Sequence, residues 1–201
     1  MEIETYALFP SLVTEVKCVA FNTIQNDLIE WIYNYQSKNL DTGVSFSNKG
    51  GWQSKSDFYK FEKSFEPFLD YILTHIGSAI KNYLNCKFKL NNMWININNK
   101  NDYNVSHTHP GVDLSGVIWI KIPEKSGNFI FESPNSFVEY FLHQNIKKDI
   151  ANKYKISPSY IIPPNEGTLI LFSPYLSHRV DQNLSDCDRI SIAFNLDINH
   201  G

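Results

Sequence analysis

Between Asn104 and Lys121 the chain reads NVSHTHPGVDLSGVIWIK, two histidines one residue apart followed by an apolar run of strand length. A strand sends alternate side chains to one face, so His107 and His109 point together into whatever that face encloses. Histidines occur at positions 75, 107, 109, 143, 178 and 200, and His178 belongs to a second strand-and-turn stretch, GTLILFSPYLSHRV. His107, His109 and His178 are therefore a candidate three-histidine metal site. Three neutral imidazoles suit Fe(II), Mn(II), Ni(II) or Zn(II) better than Ca(II) or Mg(II), which prefer oxygen. The plain alternative is a solvated HTHP turn, and the strand-rich sequence downstream argues against it.

The rest of the chain supplies a support for such a site. TYALFPSLVTEVKCVAF mixes short β-like runs with a break at Pro10, as expected of an edge strand leading into a helix. From Thr23, Ile24, Leu28, Trp31, Ile32 and Tyr35 recur on one helical face. DTGVSFSNKGGWQSKSDF is rich in Gly, Ser and Asn and is predicted to be a loop anchored by Trp52. A second helix is predicted over Phe65 to Leu84, with Phe68, Tyr71, Ile72, His75, Ile76, Ile80 and Tyr83 on its stripe and His75 a hydrogen-bonded core residue.

At Lys87 the period changes to that of strands. FKLNNMWININNKNDYN places Trp94, Asn96 and Asn98 on one face, and polar groups beside a tryptophan suggest a wet cavity. LSGVIWIKI, GNFIFES, SYIIPP, GTLILFS and RISIAFNLDI continue the strands, with a polar, partly helical insert near Phe137 to Lys155. The expected fold is mainly β with N-terminal helices, a jelly roll or cupin-like small barrel. One domain over residues 1–201 is expected, with 1–86 as strand and helical support and 87–201 as the β core.

Composition narrows the function. With 42% hydrophobic and 14% aromatic residues the chain is globular, and a net charge of -3 leaves no broad basic surface for nucleic acid. Cys18, Cys86 and Cys187 are odd in number and lack CxxC spacing, which indicates neither a disulfide framework nor a thiolate zinc site. An acidic N-terminal stretch and the lack of any membrane-spanning apolar run make a cytoplasmic protein the default expectation. Oligomeric state is open, and a homodimer is compatible with the sequence.

Arg179 and Arg189 are the only arginines, so each position asks for a reason. Arg189 opens RISIAFN, which puts Arg189 and Ser191 on one strand face, beside the strand that leads to His178 and opposite LSGVIWI with its Ser115, Val117 and Trp119. A guanidinium fork and a hydroxyl two residues on can hold a carboxylate. The plain alternative pairs Arg189 with Asp186 or Asp188 at the surface.

At these residues the sequence resembles the Fe(II)- and 2-oxoglutarate-dependent oxygenases, and more narrowly a subfamily with an HTHPG…LSG core. The similarity lies in WININNKNDYNVSHTHPGVDLSGVIWIKIPEKSGNFIFESP, in GTLILFSPYLSHRVDQNLSDCDRISIAFNL and in SNKGGWQS. The resemblance implies a double-stranded β-helix, Fe(II) held by His107 and His178, and 2-oxoglutarate as co-substrate with its side-chain carboxylate on Arg189 and Ser191. It implies oxidation, most simply hydroxylation, of an unidentified small molecule or protein side chain with release of succinate and CO2. Asn96, Asn98, Tyr103, Ser115 and Trp119 are candidates to surround the co-substrate. Position 109 departs from the wider superfamily, which carries a carboxylate there; His109 is expected to replace it, with Asp113 as the alternative ligand. H-x-H-x3-Asp is also cupin spacing, so a cupin-type metal enzyme without oxoglutarate, or a silent jelly-roll binding module, are the competing readings.

Overall fold

The computed structural model describes residues 1–199 except 85 and 136. The last two residues of the expected core, and the side chain at position 83 on the expected helical stripe, lie outside the described residues. Its strands are β1 Val13–Lys17, β2 Asn48–Lys49, β3 Trp52–Gln53, β4 Lys87–Asn98, β5 Tyr103–His107, β6 Leu114–Lys121, β7 Phe129–Glu132, β8 Ser159–Ile162, β9 Thr168–Phe172, β10 His178–Val180 and β11 Arg189–Asn199. They form two antiparallel sheets, one ordered β1-β9-β6-β11-β4-β3 and the other β2-β5-β10-β7-β8. This is the mainly β jelly roll expected of the pattern.

Strand alternation divides the apolar residues between two cores. Ile95, Ile97, Ile118, Ile120, Ile190 and Ile192 face outward from the six-stranded sheet and pack with helix α1 (Gln25–Lys38) and helix α2 (Glu66–Tyr83) through Leu28, Ile32, Ile72 and Ile76. Those four helical side chains are fully buried, and each contributes about 1.5–3 kcal/mol of burial. On the opposite face Val117, Trp119, Ile170 and Phe172 meet Phe129 and Phe131 of the five-stranded sheet. The site is built where this inner layer turns polar.

Three features differ from the sequence expectations. β6 lies beside β11 in one sheet, with Ser191 opposite Trp119 in register, and does not face it from across the barrel. β9, the strand leading to His178, is separated from β11 by β6. The long antiparallel ladder of β11 explains this, because hydrogen bonding to β4 on one edge and to β6 on the other leaves no edge for β9.

The third difference is the expected loop at 41–58, which adds an edge strand to each sheet. β2 pairs with β5 and β3 with β4. Gly51, at φ +68°, makes the crossing between them: a Cβ there would sit 2.6 Å from the Ile97 carbonyl oxygen. Trp52 anchors the segment as expected, edge-on to Tyr35 and donating from Nε1 to the Asn39 carbonyl. Among the described residues no helix is long and apolar enough to cross a membrane.

Candidate functional site

His107 ends β5 and His178 begins β10, and the two are direct partners in the antiparallel register. His109 follows in the β5–β6 connection, its backbone N–H donating to the Pro174 carbonyl. A ligand atom from each histidine lies within 4.8 Å of the other two, and ring centroids are 4.3–5.0 Å apart. The group is compact enough to hold one metal ion.

The hydrogen bonds on the far side of each ring fix which nitrogen faces inward. Nδ1–H of His107 donates to the Val105 carbonyl at 2.8 Å and that of His178 to the Leu176 carbonyl at 2.9 Å. His109 Nδ1–H donates at 2.8 Å to Oδ1 of Asn195. Nε2 of each ring is then left with a lone pair, the tautomer a metal needs. Burial, with the neighbouring rings, pushes His178 down to about 3, and burial lowers His107 and His109 as well. Neutral imidazoles, already deprotonated at Nε2, suit a first-row cation.

Asn195, which sequence reading did not single out, is the side chain that joins this histidine group through His109. Its Oδ1 also accepts from Ser115 Oγ at 2.6 Å, and its Nδ2 donates to Asn92 Oδ1 at 2.8 Å, so the carboxamide is held with oxygen toward His109. The available signal was the alternation R-x-S-x-A-x-N, which puts Asn195 on the face of Arg189 and Ser191. Ser115, expected beside a co-substrate, is completely buried in this network instead.

Deeper along the same face lies a narrow cavity lined by Asn96, Trp119, Phe129, His178 and Ser191 among others. Arg189 is 1% exposed. Its Nη1 donates to the carbonyls of Ser126 and Asp181, while Nε and Nη2 have no partner among the described residues. Trp119 Nε1 and Asn96 Oδ1 are also buried without partners. Unpaired buried polar groups cost about 1–3 kcal/mol each, more when charged, and the free donors of Arg189 and Trp119 suit a ligand that accepts hydrogen bonds. Burial lowers Arg189 to about 10, which leaves it cationic at neutral pH. A buried cationic fork with two free N–H edges matches a carboxylate in charge and shape.

The surface alternative for Arg189 does not hold. Asp186 pairs with Lys100 and Asp188 with Lys121. Asn98 is buried opposite Arg189 in register. Tyr103 is 39% exposed and lines neither the inner cavity nor the cleft outside it. Asp113 is exposed and accepts the Ile198 N–H, apart from the histidine group. His75 is structural, donating to the Tyr71 carbonyl and accepting the Val19 N–H.

Outside the histidines a cleft of about 600 Å³ opens to solvent between Phe46, Gln53, Trp94 and Val112. Its size is that of a pocket for a drug-sized molecule. Ser47, Trp94, His107 and His109 line both spaces, so His107 and His109 stand at the junction of cleft and cavity, with His178 on the cavity side.

No curated protein matches the sequence. The same fold occurs in the non-heme alpha ketoglutarate dependent carbocyclase SnoK from nogalamycin biosynthesis, at TM-score 0.66 and 10% identity over 93% of this chain and 79% of that one. It occurs in the viral collagen prolyl hydroxylase vCPH of Paramecium Bursaria Chlorella virus-1, at 0.57 and 13% over 92% and 94%. A Pseudomonas putida prolyl-4-hydroxylase matches at 0.60 and 9% over 94% and 93%. A family model described as "Putative 2OG-Fe(II) oxygenase" matches residues 92–195, from the middle of β4 to Asn195 itself. With more than half of its length inside that match, the chain belongs to the 2OG-Fe(II) oxygenase family, whose cofactors are Fe(II) and 2-oxoglutarate.

Proposed function

We propose that His107, His109 and His178 hold the ferrous ion, and that Arg189 and Ser191 hold the distal carboxylate of 2-oxoglutarate, in an enzyme that hydroxylates a small molecule or a protein side chain. The observation that carries this reading is the convergence of three imidazoles, each with Nδ1–H tied back and Nε2 free. The partnerless N–H groups of Arg189 and Trp119 support the placing of the co-substrate. The exposed Asp113 argues against the cupin ligand set, which would need that carboxylate at the metal. In this reading residues 87–201 are the catalytic core and 1–86 its support, within one cytoplasmic domain.

When bound, the iron and the keto acid supply oxygen activation coupled to decarboxylation of 2-oxoglutarate to succinate and CO2. The protein's part is positioning. The backbone carbonyls of Val105 and Leu176 orient two imidazoles, and Asn195 orients the third. Ser191, Trp119 and Arg189 fix the co-substrate by charge and hydrogen bonds. Phe129, Phe172 and Val117 wall the inner cavity and exclude water from it.

Anaerobic titration with Fe(II) and then 2-oxoglutarate tests this by the metal-to-ligand charge-transfer band. His107→Ala and His178→Ala are expected to give folded, iron-poor protein. Arg189→Lys is expected to keep iron and weaken 2-oxoglutarate, because lysine retains charge and loses the planar fork. Full iron stoichiometry in both histidine variants would overturn the ligand assignment, and unchanged 2-oxoglutarate affinity in Arg189→Lys would overturn that of the co-substrate.

A further inference from the structure

Among the described residues, the lining of the cleft outside the histidines carries no fixed charge. Its thirteen lining residues include no Asp, Glu, Lys or Arg. A charged substrate group entering it would lose hydration without gaining an ionic partner from the lining side chains. The contrast within the protein is marked, because the co-substrate end has the buried Arg189 guanidinium and the substrate end has no counterpart.

What the cleft does offer is apolar surface and one unused carboxamide. Trp94 stands with its ring 5.6 Å from that of His109, and Phe46 at the rim is 74% exposed. Val112 continues this apolar surface. Gln53 is only 5% exposed, and among the described residues its side-chain amide makes no hydrogen bond, although its backbone carbonyl accepts the Val44 N–H. Trp52, its neighbour on β3, packs outward against Tyr35, so strand alternation turns Gln53 inward, opposite Asn96 in register. Gln53 as a whole is buried, but its amide is not among the buried polar groups that lack a partner, so it opens to the cleft with a donor and an acceptor free for a ligand.

We propose that this cleft takes an uncharged, amide-bearing substrate, whose apolar part lies along Trp94, Phe46 and Val112 and whose amide pairs with the Gln53 carboxamide. A carboxamide offers both a donor and an acceptor, the complement of another amide. The inference rests on the reading of the histidines as the metal centre, since it takes the cleft beside them as the substrate's.

The test uses probes that share one skeleton and differ in charge: N-acetyl-leucinamide (neutral), N-acetyl-leucine (anionic) and leucinamide (cationic), with the phenylalanine series beside them. The full chain, loaded with Zn(II) in place of iron and with 2-oxoglutarate, is titrated while the Trp94 indole N–H resonance, assigned through Trp94→Phe, is followed. Zn(II) and 2-oxoglutarate binding are measured first, and their absence would retract the metal-centre reading rather than this one. With both bound, the neutral diamides are expected to shift Trp94 and to bind at least about ten-fold tighter than either charged analogue. Gln53→Leu is expected to weaken the neutral probe by about ten-fold, the value of one lost hydrogen bond in a desolvated site. Gln53→Glu, a nearly isosteric change, is expected to turn the preference toward the cationic leucinamide. A charged analogue that binds the unaltered protein as tightly as the neutral one, no shift of Trp94 by any probe, or an unchanged order in Gln53→Glu would overturn the proposal.

Discussion

The three histidines differ in what holds them, and that difference has consequences for mutation. His107 and His178 donate to the backbone carbonyl two residues before each, contacts that no side-chain substitution removes directly. His109 donates to a side chain, Asn195, which Asn92 and Ser115 keep in one orientation. Asn195→Ala is therefore expected to lower metal affinity by about 10–100-fold, the usual effect of losing a residue that orients a metal-bound imidazole. His109→Asp is expected to retain iron, because a carboxylate at that position restores the ligand set common in the wider superfamily. Competition with a chelator of known affinity measures both. Affinity lost in His109→Ala and unchanged in Asn195→Ala would remove Asn195 from this role and leave His109 in its own. The histidine spacing was legible in the sequence; the partner was not, because Asn195 meets His109 only through the order of strands that places β11 between β4 and β6.

At the scale of elements, the strands bearing His107 and His178 are pinned on the face turned away from the site. Glu132 of β7 accepts hydrogen bonds from Ser106 Oγ at 2.6 Å and Ser177 Oγ at 2.8 Å, the residues just before the two histidines, and pairs with Arg179 of β10 at 3.0 Å. Those contacts, Ser106 and Ser177 first and then Arg179, hold the carboxyl below the ordinary glutamate range. A carboxylate with a depressed folded pKa stabilises fully above its unfolded value of about 4.3, and that contribution is lost as pH falls through the folded value. Glu132→Gln should accordingly flatten the acid limb of the stability curve and leave its neutral-to-alkaline shape alone. Urea unfolding between pH 3 and pH 7 reads this, and parallel curves for the two proteins would show that the pin carries no pH-dependent stability. Sequence periodicity revealed α1, α2 and the long strands, since each has a regular apolar face. It missed β2 and β3, two residues each, because they are held by register with β5 and β4 and by the Gly51 crossing rather than by any pattern of their own.

Taken as a whole molecule, the histidine centre joins the two sheets. His107 and His178 belong to the five-stranded sheet, and His109 reaches through Asn195 to the six-stranded one. In the proposed reading a metal bound there ties the two sheets together, near where β2 pairs with β5 and β3 with β4. Because the site exists only in the folded chain, metal at one hundred times its dissociation constant adds about 2.7 kcal/mol of stability. For a chain of this length that raises the melting temperature by roughly 5–10 °C. A second rise is expected when 2-oxoglutarate is added, because in the proposed reading its distal carboxylate pairs with the buried Arg189, whose Nε and Nη2 have no partner among the described residues. Arg189→Met should separate the two increments, keeping the rise with Zn(II) and losing that with 2-oxoglutarate, since no cationic fork remains to hold the distal carboxylate. Scanning calorimetry of the chelated, metal-loaded and doubly loaded proteins measures each step. A 2-oxoglutarate increment of equal size in both proteins would place the co-substrate away from Arg189, and no increment with metal in the unaltered protein would mean that the three imidazoles do not bind the two sheets together through an ion.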